Sequence, residues 1–254
     1  MADRGCNLEC VKEGDNAIEF VGPVKIVLVD QPKSAYLRKT CYAALIVLAQ
    51  MMMATTTILV MFYSLSYKRS ACFKALHVFL CTVGLQIIML SGILSLNNLS
   101  GSSAPMKISD CRFEHLFLEW FGLASAVAGV VTIFFSEYSS LFTTHSCSGI
   151  AATGMAILCA ISGLFVYDFR SAANFPEEYS PFRRFLNYSH QLLGSLAIFL
   201  SSVCFILGVT KTSFIKWLPL YDMHYYAVMF CIFYTVVILY KPLKQLLYIF
   251  YYFA

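Results

Sequence analysis

Charge is scarce in this chain. Only 13% of its 254 residues are Asp, Glu, Lys or Arg, about half the share carried by an ordinary soluble domain. Hydrophobic residues make up 59%, and mean hydropathy is +0.70. Composition therefore excludes a soluble globular protein and places the chain in the membrane class. The formal net charge of +4 is too small to imply nucleic acid, so the basic residues are read as reporters of topology. An apolar leader is also missing: the first twenty residues carry Asp3, Arg4, Glu9, Lys12, Glu13, Asp15 and Glu19, and no cleaved signal peptide is expected. There is no G-x-G-x-x-G and no soluble domain to hold a flavin or nicotinamide. The ten cysteines do not form a disulfide scaffold. Cys41, Cys81, Cys159, Cys204 and Cys231 lie inside apolar runs and read as small buried hydrophobes. Cys6 and Cys10 in the tail could bind metal, but two ligands without partners are weak evidence for a site.

What the sequence does have is long apolar runs, at about 40–66, 75–97, 115–135, 147–167, 190–210 and 218–240. A helix crosses the hydrocarbon core with ~20 residues, so each run can span. The expected organisation is a polar tail over 1–39, a six-helix membrane domain over 40–240, and a final segment over 241–254. In the tail, "FVGPVKIVLV" has the composition of a short strand. After Lys241–Pro242 the aromatic, basic "LKQLLYIFYYFA" suits the membrane interface.

Orientation follows from Lys and Arg. Thirteen fall in the tail, the loops after spans 2 and 4, and the C-terminal segment. Five (Lys68, Arg69, Lys74, Lys211 and Lys216) fall in the opposite loops. By the positive-inside rule both termini are cytoplasmic. The sequons at Asn98 and Asn187 then face the cytosol or hug the membrane, and are expected to stay unglycosylated.

Four of the five histidines form a pattern. His77, His115, His145 and His190 stand at or near the starts of spans 2, 3, 4 and 5. Successive helices run in opposite directions, so His77 and His145 share the non-cytoplasmic side, and His115 and His190 the cytoplasmic side. Glycines follow on the same helical faces: Gly84 and Gly122 seven residues after His77 and His115, Gly149 and Gly194 four after His145 and His190. Each histidine thus has bare backbone one or two turns deeper, where something flat can approach. A haem fits, with two axial imidazoles and a planar macrocycle lying along the helices. The fold class this implies is all-α, a six-transmembrane-helix bundle with a haem at each histidine pair, held between helices 2–5. The alternative is a six-span transporter or membrane scaffold without haem, its histidines being polar interface residues. Zinc transport would call for carboxylates near the midplane, and only Glu119 lies well inside a span. The fifth histidine, His224, opens span 6 and reads as interfacial.

At these residues the chain resembles the cytochrome b561 family, specifically its short members. The likeness is carried by "ALHVFLCTVGLQIIMLSGILSL", "EHLFLEWFGLASAVAGVV", "THSCSGIAATG" and "YSHQLLGSLAIFLSSVCFILGV", and covers roughly 40–240. It implies a six-helix bundle with one haem between His77 and His145 and another between His115 and His190. It also implies electron transfer from cytosolic ascorbate to monodehydroascorbate or a ferric chelate across the lipid bilayer, and a homodimer. Departures are present: Val78 follows His77 where proline is usual, Phe113 stands two residues before His115 where a basic residue is common, and no histidine precedes span 4.

Ascorbate is an anion, and Arg112, Arg183 and Arg184 gather near the cytoplasmic ends of helices 3 and 5, where they can attract it. Arg184 matches a family substrate-contact position, six residues before His190. The same arginines also serve as topology signals. Glu119, one turn beyond His115 on the same face, is a candidate to take up the proton that ascorbate releases. Haems near opposite surfaces of a ~30 Å core leave roughly 10–15 Å between ring edges, which needs no moving carrier.

Overall fold

The computed structural model describes residues 17–20, 26–29, 32–67, 71–101, 103–136, 142–171 and 181–253. Side chains at 17–29, 136, 167–171, 181, 183, 184 and 249–253 lie outside that description. The chain divides into two compact units, Met1–Ala43 and Ala44–Ala254.

In the first unit, β1 (Ala17–Phe20) pairs antiparallel with β2 (Ile26–Val29), Ala17 opposite Val29 and Phe20 opposite Ile26. The strand expected in "FVGPVKIVLV" is present as β2, and its partner β1 ends on the first residue of that stretch, Phe20. Helix α1 (Lys33–Leu65) starts in this unit and continues into the second.

The second unit is all-helical. After α1 come α2 (Cys72–Ser95), α3 (Ile108–Ser136), α4 (Thr144–Ser171), α5 (Pro181–Val209), the short α6 (Thr212–Trp217) and α7 (Met223–Phe253). All but α6 are long and apolar enough to cross a membrane, giving six spans. Helices answer the solvent: in hydrocarbon each backbone N–H and C=O must find its partner within the segment. Pro181 opens α5, where its missing N–H costs nothing.

Outward faces carry large apolar side chains such as Phe62, Phe121, Leu158, Phe199 and Met229, as lipid requires. Inward faces are small: Ala49, Ala126, Ala152, Ala156, Ala197 and Ala227 are all buried. Small residues let helices approach closely when lipid removes the hydrophobic drive between them. At the centre, Leu85 and Met89 of α2 meet Leu123 and Ala126 of α3, Ala156 of α4 and Ala197 of α5.

Three features differ from the sequence reading. Helices run past the apolar runs into polar flanks; α3 starts at Ile108, which sets His115 two turns inside it. The last helix does not stop at Lys241–Pro242 but carries Pro242 within it to Phe253. Gln191 Nε2 donates to the Pro242 carbonyl at 3.0 Å, tying that disrupted turn to α5. Third, α2 is not α-helical throughout: Thr82–Ile88 forms a π turn between two α-helical arms.

Candidate functional site

His77 of α2 and His145 of α4 face one another with ring centres 6.3 Å apart and planes at 87°. His115 of α3 and His190 of α5 do the same, again at 6.3 Å and 87°. The two pairs expected from helix alternation are therefore assembled, with identical spacing.

Each ring is held by its other side. His77 Nδ1 lies 2.9 Å from the Gly129 carbonyl, and His115 Nδ1 lies 2.8 Å from that of Gly92. His145 Nδ1 reaches the Cys204 carbonyl and His190 Nδ1 the Cys159 carbonyl, both at 3.0 Å. A carbonyl only accepts, so Nδ1 carries the hydrogen in all four rings. That fixes the tautomer with Nε2 unprotonated, the outer-shell arrangement common to metal-binding imidazoles. Spacing agrees with such a use: two metal–nitrogen bonds of ~2.0–2.1 Å, plus about 1.1 Å from each nitrogen to its ring centre, come to ~6.3 Å.

Polar atoms beside the rings follow one plan. Cys81, Cys204 and Cys159 each place Sγ 3.5 Å from Nδ1, of His77, His145 and His190 respectively. At the fourth ring the neighbour is a carboxylate: Glu119 Oε1 lies 3.7 Å from His115 Nδ1. That oxygen is buried and has no hydrogen-bond partner among the described residues.

The glycines divide by task. A β-carbon on Gly84 would lie 2.7 Å from the Gly122 carbonyl oxygen, so these two bring α2 and α3 into backbone contact. On Gly149 and Gly194 it would meet Cys204 Sγ and Cys159 Sγ at 3.1 and 3.2 Å, the close packing of α4 on α5. What these glycines admit is thus the neighbouring helix; Gly194 also lines a cavity. Four glycines overlooked in the sequence touch the histidine sites more closely. Gly129 and Gly92 supply carbonyls, while a β-carbon on Gly163 or Gly208 would strike Cε1 of His190 at 2.9 Å or of His145 at 3.2 Å. A signal for half of this was present: α4 and α5 share H-x3-G-x9-C-x3-G, as His145, Gly149, Cys159, Gly163 and as His190, Gly194, Cys204, Gly208.

A cavity of about 750 Å³ opens beside the second pair, within the usual range for small-molecule sites. Its lining includes Arg112, His115, Glu119, His190, Gln191 and Lys241. Lys241, which the sequence reading used only for topology, donates to the Leu96 carbonyl at 3.3 Å across the mouth. Arg183 and Arg184 fall in the first turn of α5, but their side chains lie outside the described residues. His224, at the start of α7, is 4% exposed; its Nδ1 donates to the Tyr221 carbonyl at 2.6 Å, and its ring contacts those of Tyr221 and Tyr225.

The family model for eukaryotic cytochrome b561 matches residues 76–216, more than half of the chain and all four paired histidines. The chain belongs to that family. Comparison with curated proteins and with solved structures returned no match. Membership of the cytochrome b561 family, with six spans, makes this an integral multi-pass membrane protein of haem-mediated transmembrane electron transfer, an oxidoreductase with b-type haem. The side chains present fit that group. Among the described residues no cluster of three or more His, Cys, Asp or Glu could hold a bare metal ion. A b561 haem brings four nitrogens of its own and asks the protein for two, which is what each pair offers.

Proposed function

We propose that His77 with His145, and His115 with His190, each hold one b haem through their unprotonated Nε2 atoms. The protein then passes electrons from cytosolic ascorbate to monodehydroascorbate or a ferric chelate on the other side. The observation that carries this reading is the twofold recurrence of one geometry, a 6.3 Å perpendicular imidazole pair with each Nδ1 tied to a helix carbonyl. Haem, when bound, supplies a one-electron couple near each membrane surface.

The chain's own residues do the rest. Backbone carbonyls orient the rings and keep them neutral donors toward the iron position. Apolar walls around the central cluster of Leu85, Met89, Leu123, Ala126, Ala156 and Ala197 exclude water between the two sites. On the cytoplasmic side Arg112, Arg183 and Arg184 attract the ascorbate anion to the cavity beside His115 and His190. Glu119, whose buried Oε1 has no hydrogen-bond partner among the described residues, receives the proton set free as ascorbate is oxidised. Both termini lie in the cytosol, by the distribution of Lys and Arg.

The test is optical. Protein purified in detergent is expected to show a Soret band, two b haems per chain, and reduction by ascorbate of at least the haem beside the cavity. Haem-free protein, or haem that ascorbate leaves oxidised, would overturn the proposal.

A further inference from the structure

Helices α2 and α3 are related by a set of register marks. Both carry a histidine near the start, His77 and His115, and a glycine seven residues on, Gly84 and Gly122. Those glycines meet at the crossing, a β-carbon on either falling 2.7 or 2.9 Å from the other's carbonyl oxygen. Beyond that point the counts part. A β-carbon on Gly84 approaches Ala126 N at 3.0 Å, and one on Gly122 approaches Met89 N at 3.2 Å. Ala126 is eleven residues after His115, but Met89 is twelve after His77.

The same excess recurs further along. Gly129, fourteen residues after His115, accepts from His77; Gly92, fifteen after His77, accepts from His115. Their surroundings correspond residue for residue. A β-carbon on Gly129 would meet Leu80 and Cys81, three and four after His77; one on Gly92 would meet Leu118 and Glu119, three and four after His115. In α4 and α5 the acceptors Cys159 and Cys204 also stand fourteen residues after His145 and His190. Only α2 needs fifteen. Its additional residue lies after Gly84 and before Met89.

That interval falls inside the π turn Thr82–Ile88. A turn closed from i to i+5 contains one residue more than an α turn, so it absorbs an insertion while the helix beyond keeps its direction and phase. Unbroken α-helix would rotate Gly92 by ~100° away from His115. We propose that the π turn is a one-residue insertion confined to Leu85–Ile88, which keeps Gly92 under His115 while His77 stays under Gly129. It is a positioning device for both histidine pairs. The insertion sets Gln86 into the bundle at 1% exposure, where Tyr234 Oη donates to its Oε1 at 2.6 Å and its Nε2 lies 3.4 Å from Ser201 Oγ. The symmetry is thus broken where α2 is pinned to α7 and α5.

The haem consequence rests on the function proposed above; the register itself does not. The test is a scan of single-residue deletions in α2, made in the wild-type and in the Tyr234→Phe background. It is read by monodisperse yield, melting temperature, and haem per chain with the low-spin signal of each pair. At least one deletion among Leu85–Ile88 is expected to accumulate with both haems. Deletions among Val78–Thr82, at Leu90 or Ser91, or at Ala124 of α3 are expected to lose haem from one pair or more. The inference is overturned if no deletion in the window accumulates, if window deletions lose haem as the others do, or if the others are tolerated equally. Haem-free wild-type protein would sink the proposed function alone, since yield and melting temperature still judge the register.

Discussion

His190 and Cys159 are joined by two contacts in opposite senses: the ring's Nδ1 donates to the Cys159 carbonyl at 3.0 Å, and the Cys159 thiol donates to the His190 carbonyl at 3.4 Å. At the other end of the same helix pair, His145 and Cys204 repeat both contacts at 3.0 and 3.4 Å. Two antiparallel helices with one shared motif therefore build a matching imidazole socket near each end.

Closeness at Gly163 and Gly208 makes the sockets separable. Gly163→Ala would put a methyl group 2.9 Å from His190 Cε1, and Gly208→Ala one at 3.2 Å from His145. Overpacking of this kind typically costs about 1–3 kcal/mol. Gly163→Ala is expected to shift the low-spin resonance, or lower the occupancy, of the His115–His190 pair alone. Gly208→Ala is expected to do so more mildly at His77–His145. Resonance spectra of the two variants check this.

Helix contact ranks the other glycines. A methyl on Gly84 strikes backbone, the Gly122 carbonyl at 2.7 Å, whereas one on Gly149 meets the end of a side chain, Cys204 Sγ at 3.1 Å. Gly84→Ala is therefore expected to lower the melting temperature clearly more than Gly149→Ala. The reverse order in detergent melts would contradict the packing described.

Tyr234 and Gln86 are both essentially buried, and the hydroxyl is the short partner of the amide oxygen at 2.6 Å. Tyr234→Phe leaves that oxygen short of a donor, a loss of roughly 1–3 kcal/mol. Gln86→Leu together with Tyr234→Phe is expected to cost less than the sum of the single changes, because each removes the other's unmet partner. Denaturation of the four proteins measures the coupling.

The cavity mouth makes an electrostatic prediction. Arg112→Ala and Lys241→Ala are each expected to raise the ascorbate concentration needed for half-reduction several-fold, with haem content unchanged. The wild-type protein is expected to lose the same advantage as salt is added, since steering by exposed charge is screened. Equal ascorbate curves at low salt would remove these residues from substrate attraction.

How far the sequence could be read depended on which physical rule applied. Spans were legible because hydrocarbon demands apolar runs, and the histidine pairs because alternate helices start on the same side. Helix ends were not, since polar flanks such as 108–114 can continue a helix once backbone bonds are closed, and Gln191 steadies the turn that Pro242 weakens. The glycines stand on the expected helices, but what each one packs against is not readable from spacing. Offset from a histidine gives a face, whereas the contact at Gly84 or Gly163 depends on which helix lies against that face. The repeat shared by α4 and α5 is readable in the sequence, but an apolar setting alone does not distinguish its cysteines from plain core. The π turn leaves no mark in composition; it appears only when His77–Gly92 is counted against His115–Gly129. The place of His224 at a helix start gives no sign of its ring contacts with Tyr221 and Tyr225.

The most direct measurement is haem stoichiometry, with resonance spectra, on His115→Ala and His145→Ala. Each variant is expected to fold and to retain one haem, His115→Ala losing the site beside the cavity and His145→Ala the site at the opposite end. Two haems in both variants, or the same site lost in both, would contradict the pairing on which the electron path is built.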